Sequence, residues 1–127
     1  IVKHNRYSMF VNVIKYLHNC NSEYFQNSMY YYLYIISKWI PDILNIEYIK
    51  YILIYTTHSP KVYNQCLILN IIYTNYETIV WLCKNGAKKH ESILQNAKRF
   101  ILQRLIQNVA YDDVLLEKCI DYVETNL

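Results

Sequence analysis

Four histidines, four cysteines and ten acidic residues are the side chains of this sequence that could carry chemistry, and their spacing argues against it. His4, His18, His58 and His90 are scattered, and none belongs to an H-E-x-x-H or Cys/His ligand pattern, so no metal is expected. His18 and Cys20 are close in sequence, but two residues do not complete a coordination sphere. Cys20, Cys66, Cys83 and Cys119 make no C-x-x-C pair. Three of them lie in apolar helical patterns, which reads as reduced, buried thiols of an intracellular protein. Cys83 or Cys119 would act as a nucleophile only beside a base in an activating environment, and their apolar neighbours point to packing instead. Gly86 is the only glycine, which excludes a nucleophile elbow, a phosphate-binding loop and a dinucleotide fingerprint. The acidic pair Asp112-Asp113 sits where a helix start favours negative charge. The expectation is therefore no catalysis, no cofactor and no small-molecule substrate.

Tyrosine is the remaining chemical signal, at 15 copies, although codons of an AT-rich genome account for part of that bias. Tyr30, Tyr31, Tyr32 and Tyr34 point around a whole helical turn, so one core cannot bury them all. Tyr63 falls in an expected loop and Tyr73 beside an expected turn. Exposed tyrosine offers a large contact area with one polar handle and is enriched in binding hot spots. Tyr30, Tyr31, Tyr63 and Tyr73 are the candidate partner-binding residues.

The elements that must position these side chains read as helices. Tyr7 to His18 places Phe10, Val13, Ile14 and Leu17 on one face, and Glu23 to Ile40 does the same with Tyr30, Leu33, Ile36, Trp39 and Ile40. Pro41 ends the second helix, because proline disfavours helical backbone at the residue before it. Ile43 to Tyr55 carries Ile46, Ile49, Ile52 and Leu53. Thr56 to Asn64 is the clearest loop. Leu67 to Ile72 fits a strand or a short helix, Thr74-Asn75 breaks the pattern, and Glu77 opens a helix that Gly86 stops. Beyond the polar link Lys88-Lys89-His90, Glu91–Arg99 and Ile101–Asn108 read as two helices, with Leu102, Leu105 and Ile106 facing inward. Asp112 to Thr125 closes the chain, burying Val114, Leu115, Cys119, Ile120 and Val123.

At 127 residues the chain fits one domain spanning 1–127, and its start at Ile1 suggests a fragment of a longer chain. One glycine and two prolines are too few for the turns of an all-β sandwich. Lys84, Lys88, Lys89, Lys98, Arg99 and Arg104 make a basic segment, followed by an acidic end; such runs are usually solvated helix faces, so nucleic acid is not the expected partner. The most apolar stretches are short or interrupted by charge, so no membrane association is expected.

Asn45-Ile46-Glu47-Tyr48-Ile49 is similar to Asn75-Tyr76-Glu77-Thr78-Ile79, 30 residues on. Val13 to Leu17 and Phe100 to Ala110 are looser copies of the same unit. The stretch 67–87 resembles an ankyrin repeat, with Leu67, Leu69, Glu77, Leu82, Gly86 and Ala87 on the family's positions. It lacks the T-P-L-H start, and the glycine between paired helices is replaced by Thr74. The wording is similar to the divergent ankyrin arrays of large DNA viruses. The resemblance implies an all-α solenoid of stacked helix-turn-helix repeats: a monomeric, non-enzymatic module that holds another protein in the cytoplasm, which for a virus is the host cell's. The alternative fold is a compact all-α helical bundle, similar to viral Bcl-2-like proteins that sequester a host helix.

Overall fold

The computed structural model describes residues 2–20, 22–56, 59–87, 91–107 and 112–126. Among these the chain is all-α, with seven helices: α1 (Val2–Cys20), α2 (Ser22–Trp39), α3 (Asp42–Tyr55), α4 (Pro60–Ile72), α5 (Tyr76–Asn85), α6 (Glu91–Ile106) and α7 (Asp113–Asn126). The strand alternative for Leu67 to Ile72 is resolved as helix, and residues 91–106 form one helix where two were expected. Nothing between Arg99 and Ile101 breaks that helix, since Phe100 continues its period.

Local sequence explains the boundaries. Pro41 separates α2 from α3, and its carbonyl accepts the N–H groups of Leu44 (2.9 Å) and Asn45 (3.0 Å). Pro60 occupies the first turn of α4, where a missing N–H costs nothing. The loop expected over 56–64 is therefore shorter, and α4 takes in Tyr63. Asp112 caps α7 by accepting the Leu115 N–H at 3.1 Å. Thr74 turns α4 into α5 with φ 56°, a left-handed backbone that L residues with β-branching rarely adopt. The Asn75 N–H then closes back on the Asn70 carbonyl at 2.9 Å.

Packing runs in two rows. α4 lies against α2 on one side and α6 on the other, while α5 lies between α3 and α7. Within the pairs, α2 packs on α3 and α4 on α5, and α1 covers both α2 and α3. α4 is apolar around most of its circumference and buried accordingly, with Val62, Cys66, Leu67, Ile71 and Ile72 in the core. Each fully buried Leu or Ile of this core contributes roughly 1.5–3 kcal/mol by leaving water.

The 30-residue similarity has a physical content. Asn45, Tyr48, Ile49 and Ile52 of α3 are buried, and so are Asn75, Thr78, Ile79 and Leu82 at the corresponding places around α5. α3 begins about one turn earlier than α5 in that register. The extra turn carries Asp42 over the start of α5, whose own cap residue Asn75 makes no side-chain cap bond. Asp42 Oδ2 accepts the Glu77 N–H at 2.9 Å and Oδ1 accepts the Thr78 N–H at 3.0 Å, so one helix caps the next. The Thr78 hydroxyl lies 2.8 Å from Asp42 Oδ1 and 2.7 Å from Asn45 Oδ1, and its single proton serves one at a time. The network continues inward, with Asn45 Nδ2 donating to Asn70 Oδ1 (3.2 Å) and Asn75 Nδ2 to Asn70 Oδ1 and the Ser37 carbonyl (both 2.8 Å). Buried amides and hydroxyls satisfied in this way fix the relative register of α2, α3, α4 and α5.

Several expected faces are turned differently. Val114 is 79% exposed and Trp39 is 67% exposed, while Leu102, Leu105 and Ile106 also lie outside the core. On α6 the described buried residues are Ile93, Ala97 and Ile101, because α6 packs mainly on α4 and needs one narrow stripe. Among the described residues no helix is long and apolar enough to cross a membrane.

Candidate functional site

Two places stand out, one closed and one open: the first turn of α4 closes over Gly86, and the C-terminal halves of α2, α4 and α6 line an open cleft. The closed one is at Gly86. Tyr63 lies one helical turn before Cys66 and Leu67 on the buried stripe of α4, and it is only 5% exposed. It stacks on Trp81 with ring centroids 6.4 Å apart and lies over the backbone of Gly86. The expected loop position of Tyr63 is thus corrected: Pro60 starts the helix early enough to turn its ring into the core.

The open surface is a cleft of about 220 Å³ where α2, α4 and α6 meet. Its walls are aromatic and apolar, with Tyr34 from α2, Leu69, Ile72 and Tyr73 from α4 and its end, and Phe100 from α6. The amides of Gln65, Gln103 and Gln107 rim it, and Arg104 supplies a cation. No carboxylate is among the described residues that line it. Arg104 lies over Tyr73, with its guanidinium carbon 4.7 Å from the ring centre and an Nη1 donation of 3.4 Å to the Ile72 carbonyl. Tyr73 in turn meets Tyr34 edge-on at 6.0 Å. Lys38, one turn after Tyr34 on α2, donates to the Tyr34 hydroxyl at 3.2 Å and lies 5.0 Å from the Trp39 ring centre. The Lys38 bond, a hydrogen bond with Tyr73 and the positive charges of Lys38 and Arg104 together hold the Tyr34 phenol below its ordinary value, against a smaller opposing effect of burial.

Of the tyrosines singled out by sequence, Tyr73 lines this cleft, and the mostly buried Tyr63 instead borders a separate hollow with Lys50, Ile54, Trp81 and Asn85. Tyr31 is 64% exposed on α2 and meets Tyr32 edge-on at 6.3 Å; Tyr30 is at the border of exposure at 36%. Neither lines the cleft. Tyr34, Phe100 and Arg104 were not among the candidates. The spacing Tyr34–Lys38, four apart on one helix face, was the available signal for the first. Arg104 belongs to the basic segment, but its partner on α4 is 31 residues away and has no local trace. Lys98 of that segment instead pairs with Glu124 of α7 at 3.6 Å.

The thiols are set for packing. Burial pushes Cys66 up to about 12, and Cys83 and Cys119 up to about 11, so none of the three is a thiolate at neutral pH. Cys20 is exposed. His18 packs against Tyr55 (4.6 Å) and Phe25 (5.6 Å). The side chains of His4, His58 and His90 lie outside the described residues. Among the described residues no three His, Cys, Asp or Glu side chains are gathered to hold a metal ion. Comparison with family models, curated proteins and solved structures finds nothing that matches this chain.

Proposed function

We propose that the chain is a non-enzymatic protein-interaction module built from stacked helix pairs of the ankyrin-like kind, acting as a monomer inside a cell, with the α2–α4–α6 cleft as its binding face. The observation that carries the reading is the cleft itself: an aromatic, carboxylate-free surface assembled from three successive helices of one row. Stacked helix pairs leave such a continuous face outside their shared core. The turn at Thr74 supports the ankyrin-like register, since a left-handed backbone stands where that family places glycine. The protonated thiols of buried Cys66 and Cys119 and of partly buried Cys83 support the non-enzymatic part of the reading.

Scanning the surface with a photo-reactive side chain tests it. Placed at Phe100 or Gln103, the group should capture a protein from a cell extract, and placed at Val114 or Glu117 on α7 it should not. Capture from α7 alone, in a folded protein, would defeat the assignment of the face. A compact bundle that holds a helix in a groove is the second reading, favoured by exposed Leu102, Leu105 and Ile106 on α6 and by α4 touching α2, α3, α5, α6 and α7. Capture concentrated at Leu102 and Ile106 would select it.

A further inference from the structure

The outer face of α1 carries a seam that the other described helices leave open. Arg6, Met9, Val13, Tyr16 and Cys20 recur at alternating steps of three and four residues, which sets them in one line along a helix. All five are exposed, with Met9 at 68%, Val13 at 48% and Tyr16 at 67%. The opposite face of α1 is already engaged. Ile14 is buried, the rings of Tyr7 and Phe10 lie 5.2 and 4.8 Å from that of Tyr48, and His18 lies 4.6 Å from Tyr55. α1 therefore cannot roll to hide the seam without emptying that interface. From Arg6 to Cys20 the seam runs about 21 Å, the length of a two-heptad contact between helices. We propose that it docks an amphipathic helix of another protein, one whose apolar stripe is flanked by Asp and Glu. This surface is separate from the α2–α4–α6 cleft, and the inference does not rest on the assignment of that cleft.

Charge selects the occupant. Residues 1–22 contain Lys3, Arg6 and Lys15 and no carboxylate, and the first acid in the sequence is Glu23. Arg6 stands in the seam and Lys15 on its flank; both are exposed, and neither pairs with a carboxylate among the described residues. Ser8, Asn12 and Asn19 share that flank, exposed and uncharged, so an approaching acid meets attraction and no repulsion. A second copy fits less well. Its own α1 would bring the same cations to the seam, and its acidic α7 exposes Val114 as its one large apolar residue among the described ones. A lipid surface also fits less well, because anionic membranes are held by clusters of roughly 4–8 cations. Lys and Arg number three along α1.

The test uses three stapled helical peptides of about 20 residues with one leucine seam, differing only at the positions beside it. Those positions are all glutamate, all glutamine or all lysine. In anisotropy titrations against the full chain, the glutamate peptide should bind about tenfold or more tighter than the glutamine one, and the lysine one should bind weakest. That advantage should shrink as salt is raised. Val13→Glu should weaken the glutamate peptide about tenfold or more. Arg6→Gln and Lys15→Gln should each weaken it several-fold and affect the glutamine peptide less. Bound peptide should also slow iodoacetamide labelling of Cys20. Ile106→Glu on α6 and Phe100→Ala in the cleft should change nothing, which keeps failure here distinct from failure of the face proposed above. The seam side chains are exposed, and thermal melts check that each variant folds. Equal binding of the three peptides overturns the acidic partner. Binding by none of them, or binding lost with Phe100→Ala in place of Val13→Glu, overturns the docking site. A dimer in sedimentation equilibrium that Val13→Glu dissolves would give the seam to a second copy. Pelleting with phosphatidylserine vesicles that Arg6→Gln abolishes would give it to a membrane surface, and either result overturns the proposal.

Discussion

Replacing Gly86 should damage the fold through two separable effects. Its φ of +158° with ψ of −14° is a backbone that side-chain-bearing L residues rarely adopt. Forcing alanine into such a region costs on the order of 1–3 kcal/mol. The new Cβ would also stand 2.8, 2.9 and 3.0 Å from Cζ, Cε1 and Cε2 of Tyr63, well inside contact distance. That ring is mostly buried and stacked on Trp81, which limits its retreat. Overpacking of this kind costs roughly 1–3 kcal/mol. Alanine recovers about 0.4–1 kcal/mol by restricting the unfolded chain. The net expectation for Gly86→Ala is a loss of about 1–5 kcal/mol, and more for Gly86→Val. Urea denaturation followed by circular dichroism measures it, with Tyr63→Leu and the double variant completing a cycle. Removing the ring should relieve about 1–3 kcal/mol of the Gly86→Ala loss and leave the backbone part. A loss below about 0.5 kcal/mol for Gly86→Ala would refute both arguments, and strict additivity with Tyr63→Leu would refute the steric one.

Thr74→Gly should stabilise the protein by up to about 1 kcal/mol, because the left-handed turn costs threonine about 1–2 kcal/mol and glycine's added chain entropy returns only part of it; a lower denaturation midpoint would contradict this. Asp42→Ala should cost about 2 kcal/mol by stripping the two N–H groups at the start of α5, with Asp42→Asn in between, as read from urea midpoints. His18→Phe should raise the melting temperature, since His18 Nδ1 is buried without a hydrogen-bond partner among the described residues and its ring neighbours accept another aromatic. The thiols predict a pH dependence: their folded pKa values lie above the ordinary 9.0, so their contribution is intact below pH 9 and is lost between about pH 9 and 12. At neutral pH iodoacetamide should label Cys20 rapidly and Cys66 only through unfolding, checked by mass spectrometry of the digested protein.

Helices were legible wherever an apolar stripe repeats, as with Ile49, Ile52 and Leu53, because periodicity is a local property of the chain. The 30-residue similarity also marked matching buried faces of α3 and α5. Which way a stripe turns depends on the neighbours. Leu102, Leu105 and Ile106 match the helical period as well as Ile93 and Ala97 do, but α4 covers only the latter. Tyr63 was misplaced because a proline three residues upstream reads equally as a loop or as the first turn of a helix. The cleft was the least legible part. Tyr73 was in view beside its turn, whereas Arg104 and Phe100 reach it from α6, and packing between helices has no signature in local spacing.

The central claim is that the face made by α2, α4 and α6 is where another protein binds. Titrating the 15N-labelled chain with a peptide selected on it from a random dodecapeptide library, whatever its charge, and mapping the perturbed amides tests this most directly. The account predicts changes gathered at Tyr34, Gln65, Tyr73, Phe100, Gln103 and Arg104, with α7 left quiet. Perturbations centred on α5 and α7, or none at saturating peptide, would contradict it.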